Sequence, residues 1–87
     1  MKYSLFLSEN VKKKFEKMRK KKKEELEAIG KKIEEILENP HRFEPLKGDM
    51  KGSFRIHIKK SFVLVYEIEE KNKAVRILEY AHHDEVY

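Results

Sequence analysis

Three features of these 87 residues predict an α+β domain. A short apolar run stands at the start, helically spaced apolar residues fill the rest of the first half, and alternating β-forming residues fill the second. The resulting order is β-α-α-β-β-β, with the last three strands expected as an antiparallel meander. Helix stripes must be buried against another layer, so a two-helix hairpin should cover one face of that antiparallel sheet. A chain of this size builds one core, which makes residues 1–87 a single domain.

Tyr3 to Leu7 (YSLFL) is bounded by polar residues and reads as the first strand. Ser8 is a candidate N-cap, with Glu9 in the first turn behind it. Val11, Phe15 and Met18 then recur at helical spacing. The stripe is lost across Arg19–Lys23 and resumes at Leu26, Ile29, Ile33, Ile36 and Leu37, which predicts two helices with a basic bend between them. Gly30 lies inside the second helix, where its missing side chain is expected to admit a close neighbour. Asn39-Pro40 ends that helix, because a residue preceding proline avoids the α region.

The connection PHRFEPLKGDMKG is long, and Phe43 and Leu46 are expected to pin it to the core. Ser53–Lys59 alternates, with Phe54, Ile56 and Ile58 on one face and Arg55, His57 and Lys59 on the other. Phe62–Ile68 (FVLVYEI) is apolar on both faces and reads as a central strand. Glu70–Lys73 is a polar turn, and Ala74–Ala81 is the last strand.

Charge is abundant and unevenly placed. Charged residues make up 43% of the chain, against roughly 25% for an average protein. Lys and Glu dominate and Cys is absent, a balance that resembles thermophile proteomes. The missing cysteines exclude a disulfide framework. Neither a signal peptide nor an apolar run of ~20 residues is present, so the expected location is the cytoplasm, away from membranes. The net charge is +5, yet residues 12–23 alone carry +8. Basicity concentrated in this way suits a polyanion-facing edge, and equally a solvated helix face.

Chemistry-bearing residues cluster in the second half. Arg55 and His57 share a strand face at roughly 6.5–7 Å separation, a spacing that suits a fixed cation and a titratable imidazole on one phosphodiester. An ordinary solvated strand face has the same pattern. His82-His83-Asp84 follows the last strand; it reads either as a surface tail or, with His82 near His57 across the sheet, as the completion of an acid–base pair. The adjacent histidines lack the three or four converging ligands that a metal needs, so neither metal nor other cofactor is expected. Tyr87 either packs or offers its ring to a base. Lys47, Lys51, Lys59 and Lys60 flank this face and could neutralise phosphates. His41 receives no role.

The segments ENP, PLKGDMKGSFRIHI, FVLVYEI and HHDEVY, in that order, resemble the RelE/ParE superfamily of toxin–antitoxin toxins. The resemblance covers nearly the whole chain. Its strongest parts are Leu46-Lys47-Gly48, the Arg55/His57 strand, Leu64-Val65-Tyr66 and Glu85-Val86-Tyr87. It implies a ribosome-dependent mRNA endoribonuclease of a type II system, in which the RNA 2′-OH attacks the adjacent phosphate without metal. Arg55 would stabilise phosphate charge, His57 and His82 would be the general base and acid in either order, and Tyr87 would stack on or orient the substrate. His83 and the loop lysines would hold RNA, and Lys20, Lys21, Lys22 and Lys23 would meet ribosomal RNA. The implied partners are a cognate antitoxin, the ribosome and mRNA, with a monomeric toxin inside the toxin–antitoxin complex.

Two departures stand out. An arginine common before the Leu-Val-Tyr segment is replaced by Val63, and histidines replace basic residues before Glu85. The histidines resemble those of the YafQ branch. The competing expectations are a ParE-like gyrase inhibitor and a non-catalytic member that binds RNA or antitoxin.

Overall fold

A computed structural model describes residues 2–45, 52–82 and 84. Two helices pack on one face of a mixed sheet, the α+β arrangement expected. The strands are β1 (Ser4–Leu7), β2 (Glu44–Pro45), β3 (Ser53–Ile58), β4 (Phe62–Glu69) and β5 (Ala74–His82), in the spatial order β1-β5-β4-β3-β2. The helices are α1 (Glu9–Lys21) and α2 (Lys23–Glu38).

The sheet is not wholly antiparallel. β3, β4 and β5 form the expected meander, but β1 pairs in parallel with β5, Leu5 opposite Val75 and Leu7 opposite Ile77. Tight turns impose antiparallel pairing, whereas β1 reaches the sheet through a helical hairpin and escapes that constraint. The two-residue β2, which the sequence pattern does not separate from its loop, pairs with β3 at the far edge.

The helices form where the spacing placed them. Lys22, at φ −133° and ψ 52°, breaks the helical run between them. Asn39 leaves helical geometry just before Pro40. Their apolar stripes meet the sheet in one core: Val11 and Met18 from α1, Ile29, Ile33, Ile36 and Leu37 from α2, and Ile56, Ile58, Leu64, Tyr66, Val75 and Ile77 from the strands. Phe43 packs against this core as expected, while Leu46 lies outside the described residues. Gly30 does not serve a close approach: a Cβ there would meet nothing within 4 Å.

Polar ties reinforce one end of the structure. The buried Tyr66 hydroxyl donates to the Pro40 carbonyl oxygen at 2.6 Å, fixing the end of α2 to the sheet. Burial pushes the Tyr66 phenol well above its ordinary pKa. At the same end of the sheet, the Glu70 carboxylate meets His41, the Tyr3 hydroxyl (3.3 Å) and Lys73 Nζ (3.3 Å). His41 thus joins the turn after α2 to the β4–β5 connection, a link between residues too far apart in sequence for local pattern to suggest.

One irregularity in β5 governs the placement of its last residues. Val65 pairs with Glu79 and Tyr66 with Ile77, which leaves Leu78 as an extra residue in a β-bulge. Ser8 holds the bulged segment: its backbone N–H donates to the Ile77 carbonyl (3.0 Å), and its hydroxyl lies 3.1 Å from the Leu78 carbonyl oxygen. Ser8 is the N-cap residue of α1, but its side chain is committed to the sheet and makes no capping bond.

Candidate functional site

β3 divides its side chains between the two faces of the sheet. Phe54, Ile56 and Ile58 enter the core beneath the helices. Arg55 and His57 therefore project from the opposite face. His57 is exposed, and Arg55 is half-buried with its Nε enclosed. Two residues of a regular strand keep their side chains roughly 6.5–7 Å apart, so Arg55 and His57 share the sheet face opposite the helices.

The floor beside this pair is apolar. His57 pairs with Val63, which pairs in turn with Ala81; Arg55 pairs with Val65. Val63 and Val65 are 0% exposed and Ala81 is 7% exposed. Val63, where the resemblance led to an arginine, is a packing position in this chain. A low-polarity floor screens the Arg55 charge less than water does, which strengthens its attraction for an anion.

His82 does not join His57. It pairs with Phe62, and its ring lies edge-on to Phe62 with centroids 5.6 Å apart. Phe62 stacks on Tyr80 (5.3 Å), and Tyr80 contacts Phe15 of α1 (6.0 Å). This aromatic series lies on the helix side of the sheet. Unbroken alternation from Ile77 would turn residue 82 to the open face. The extra residue at Leu78 inverts that phase and carries Tyr80 and His82 under α1. His82 Nδ1 sits 3.5 Å from the Asp84 carboxylate and accepts from the Asp84 backbone N–H at 3.3 Å.

Under α1 these residues line a groove of about 830 Å³. Its floor is Met18, Phe62, Tyr80, Ala81 and His82. Its rim holds six lysines, from Lys13 to Lys22, against Glu16 and Glu25. Lys14 also anchors α1 to the sheet edge, donating to Glu79 Oε1 (2.9 Å) and to the Tyr80 carbonyl (2.7 Å). The Tyr80 hydroxyl donates to Glu25 Oε2 at 2.7 Å, and burial together with this bond pushes its phenol up.

The remaining sequence candidates separate into three groups. Lys20, Lys21 and Lys22 are exposed on the groove rim, while Lys23 faces away beside Arg19. Lys59 and Lys60 are exposed on the β3–β4 turn, at the same end of the sheet as His57 and His82. Lys47, Lys51, His83 and Tyr87 lie outside the described residues. Sequence reasoning missed the groove itself and the aromatic Phe62 beneath it. The lysine run was visible, but its facing of β5 depends on the bulge.

The comparisons agree with this fold. A family described as "ParE-like toxin of type II bacterial toxin-antitoxin system" matches residues 5–87. An uncharacterized protein of Methanosarcina mazei is 47% identical over 85 residues, covering 98% of this chain and 99% of that one. A proposed toxin of Methanocaldococcus jannaschii, RelE4, is 40% identical over 85 residues, covering 98% of this chain and 90% of its own. Among solved structures, a YoeB/ParE toxin from Agrobacterium tumefaciens superposes with TM-score 0.84 at 21% identity, covering 92% of this chain and 98% of that one. An arginine-substituted RelE of E. coli, solved in complex with an antitoxin RelBc peptide, superposes with TM-score 0.78 at 28% identity, covering 100% of this chain and 92% of that one. With its model match extending over almost its entire length, the chain belongs to the ParE-like toxins of type II bacterial toxin–antitoxin systems, within the RelE/ParE superfamily.

Proposed function

We propose that this toxin is a metal-free mRNA endoribonuclease acting at the ribosome, with Arg55 and His57 at its centre. The observation that carries the reading is their joint projection from β3 on the face opposite the helices, over the buried Val63 and Val65. His57 takes the proton of an RNA 2′-OH, and the 2′-oxygen attacks the adjacent phosphorus. Arg55 offsets the charge gathering on the phosphate oxygens. The bond to the 5′-oxygen breaks, leaving a 2′,3′-cyclic phosphate and a 5′-hydroxyl that takes its proton from water. Tyr87 orients the substrate, and Lys47, Lys51, Lys59, Lys60 and His83 hold RNA phosphates. Exposed Lys20–Lys23 meet ribosomal RNA.

A cognate antitoxin that silences the toxin by binding it belongs to the same reading. RelE of E. coli has been solved with RelB as a toxin–antitoxin complex, and that toxin is 25% identical to this chain.

A second reading has one specific observation in its favour. His82, the other half of the expected acid–base pair, lies on the opposite face from His57. A toxin that binds gyrase, or one that binds only RNA or antitoxin, needs no such pair. Primer extension on mRNA after induced expression separates the readings. New 5′ ends within ribosome-bound codons are expected. Intact mRNA together with inhibited supercoiling would establish the gyrase reading instead.

A further inference from the structure

The nuclease reading assigns Lys20–Lys22 of the groove rim to ribosomal RNA and leaves the aromatic floor and the Lys13/Lys17 row on the helix side without a role. The chemistry of the groove is specific. Lys13 and Lys17 are exposed and one helical turn apart, and Lys20 continues the row. Beneath them lie the half-buried Phe62 ring and His82. Cations along a channel above an aromatic floor are the two elements of a sequence-tolerant site for single strands: charge follows the phosphates and rings receive the bases.

The groove is also adjacent to the Arg55/His57 face. Ile58, Phe62 and His82 form one register row, and His57, Val63 and Ala81 form the next. Among the described residues, the two surfaces meet at the end of the sheet, where the β3–β4 turn presents Lys59 and Lys60. Lysines stand both on the groove rim and on the turn that joins it to the His57 face. An acidic peptide would satisfy the lysines of the groove alone. It would leave the continuity through the turn to His57 unexplained.

We propose that the groove between α1 and the end of β5 binds single-stranded RNA, holding the part of the strand that continues from the Arg55/His57 site around the β3–β4 turn. His82 is then a base-contacting residue on the helix side, not the partner acid of His57. The direction of the strand rests on the nuclease reading; groove binding itself does not.

The test uses a fluorescein-labelled 2′-O-methyl oligouridine of ~12 nucleotides, within the span of known single-strand sites. This probe lacks the attacking hydroxyl, so binding is read without cleavage. Fluorescence anisotropy compares the wild-type toxin with K13A/K17A and with F62L, each checked for an unchanged circular-dichroism melt. The expected loss is roughly tenfold for K13A/K17A, with the salt slope reduced by about 1.4, since each single-strand phosphate contact contributes about 0.7. F62L keeps an apolar side chain of similar bulk and loses the stacking surface, so a loss of roughly tenfold is expected. Cleavage of an all-ribose message bound to ribosomes is measured separately for the wild type. Lysine-dependent binding without cleavage would overturn the nuclease reading and support the groove. Cleavage with unchanged binding by both variants would overturn the groove. Lysine-dependent binding of a labelled Glu/Leu amphipathic peptide, with no binding of the oligouridine, would make the groove a protein site and overturn it as well.

Discussion

His57 and His82 stand at the same end of one sheet and face opposite ways. His57 is exposed over an apolar floor of buried valines, beside one arginine. His82 is half-buried in an aromatic cluster, in a groove rimmed by six lysines. The first surroundings suit a reacting phosphate, held by one fixed charge with a titratable group at reach. The second suit the retention of a longer anion. Identical side chains thus occupy different surroundings through the parity of their strand positions, and a single bulge residue, Leu78, decides the parity.

The sharpest way to break this comparison is to remove each imidazole in turn. His57→Ala is expected to lower RNA cleavage by about 10²-fold or more, the usual contribution of a positioned acid–base group, and to relieve growth arrest on expression. His82→Ala should retain cleavage within about tenfold, the scale of one lost base contact. Initial cleavage rates on a ribosome-bound message measure both. Equal losses would mean that the two histidines act as a pair despite their opposed faces, and the bulge would not divide their roles.

Much of this arrangement is legible in the sequence. Alternation at Ser53–Ile58 assigns Phe54, Ile56 and Ile58 to the core and Arg55 and His57 to the other face. Helical spacing gives Val11, Met18, Ile29 and Ile33 the same fate. The placement of His82 is not legible in this way. A bulge has no distinct residue signature in LEYAHH, and its partner, Ser8, is 70 positions away from Leu78. The direction of β1 is hidden for a related reason, since pairing across the sheet leaves no mark in the local pattern of either strand. Val63 shows the converse problem. Read against the family, it is a missing arginine, whereas the fold uses it as buried packing at 0% exposure.

That packing sharpens the comparison in a second way. If the open face were an ordinary solvated surface, trimming Val65 would cost little. Because Val65 is 0% exposed, Val65→Ala is expected to cost roughly 2 kcal/mol, from two lost methyl groups and the space they leave. The urea midpoint should fall with the m-value unchanged. A cost near zero would make the floor solvent-accessible and weaken the case for a strengthened Arg55 charge.

A smaller effect is expected on the groove side. Tyr80→Phe keeps the ring stacked on Phe62 and removes the bond to Glu25. The expected cost is about 1 kcal/mol, since the bond is only partly shielded from water. The turn between the two faces offers a change of opposite sign. Lys59 adopts φ 56°, a left-handed conformation that burdens any side chain with a Cβ. Lys59→Gly is expected to raise stability by about 0.5 kcal/mol, after the greater flexibility of glycine in the unfolded chain is subtracted. The same variant removes one cation from the proposed path, so RNA affinity should fall while the melting temperature rises. If both fall together, the turn contributes to the fold in a way that φ alone does not capture.

The smallest effect belongs to the far end of the sheet, where charge serves the fold instead of a ligand. The hydrogen bond to His41, with help from Lys73, holds the Glu70 carboxyl below the usual glutamate range. A depressed folded-state pKa means that the unfolded chain takes up its proton first as pH falls. The stabilisation is therefore fully present above the ordinary glutamate value and disappears as pH drops through the lower, folded-state value. Glu70→Gln should lower the melting temperature slightly at pH 6, and the gap from wild type should close toward pH 3. The Glu70 side chain is exposed enough for the loss to remain small. A gap that stayed constant through this acid range would assign the effect of the variant to side-chain packing and leave the tie between His41 and the Glu70 carboxylate without a part in stability.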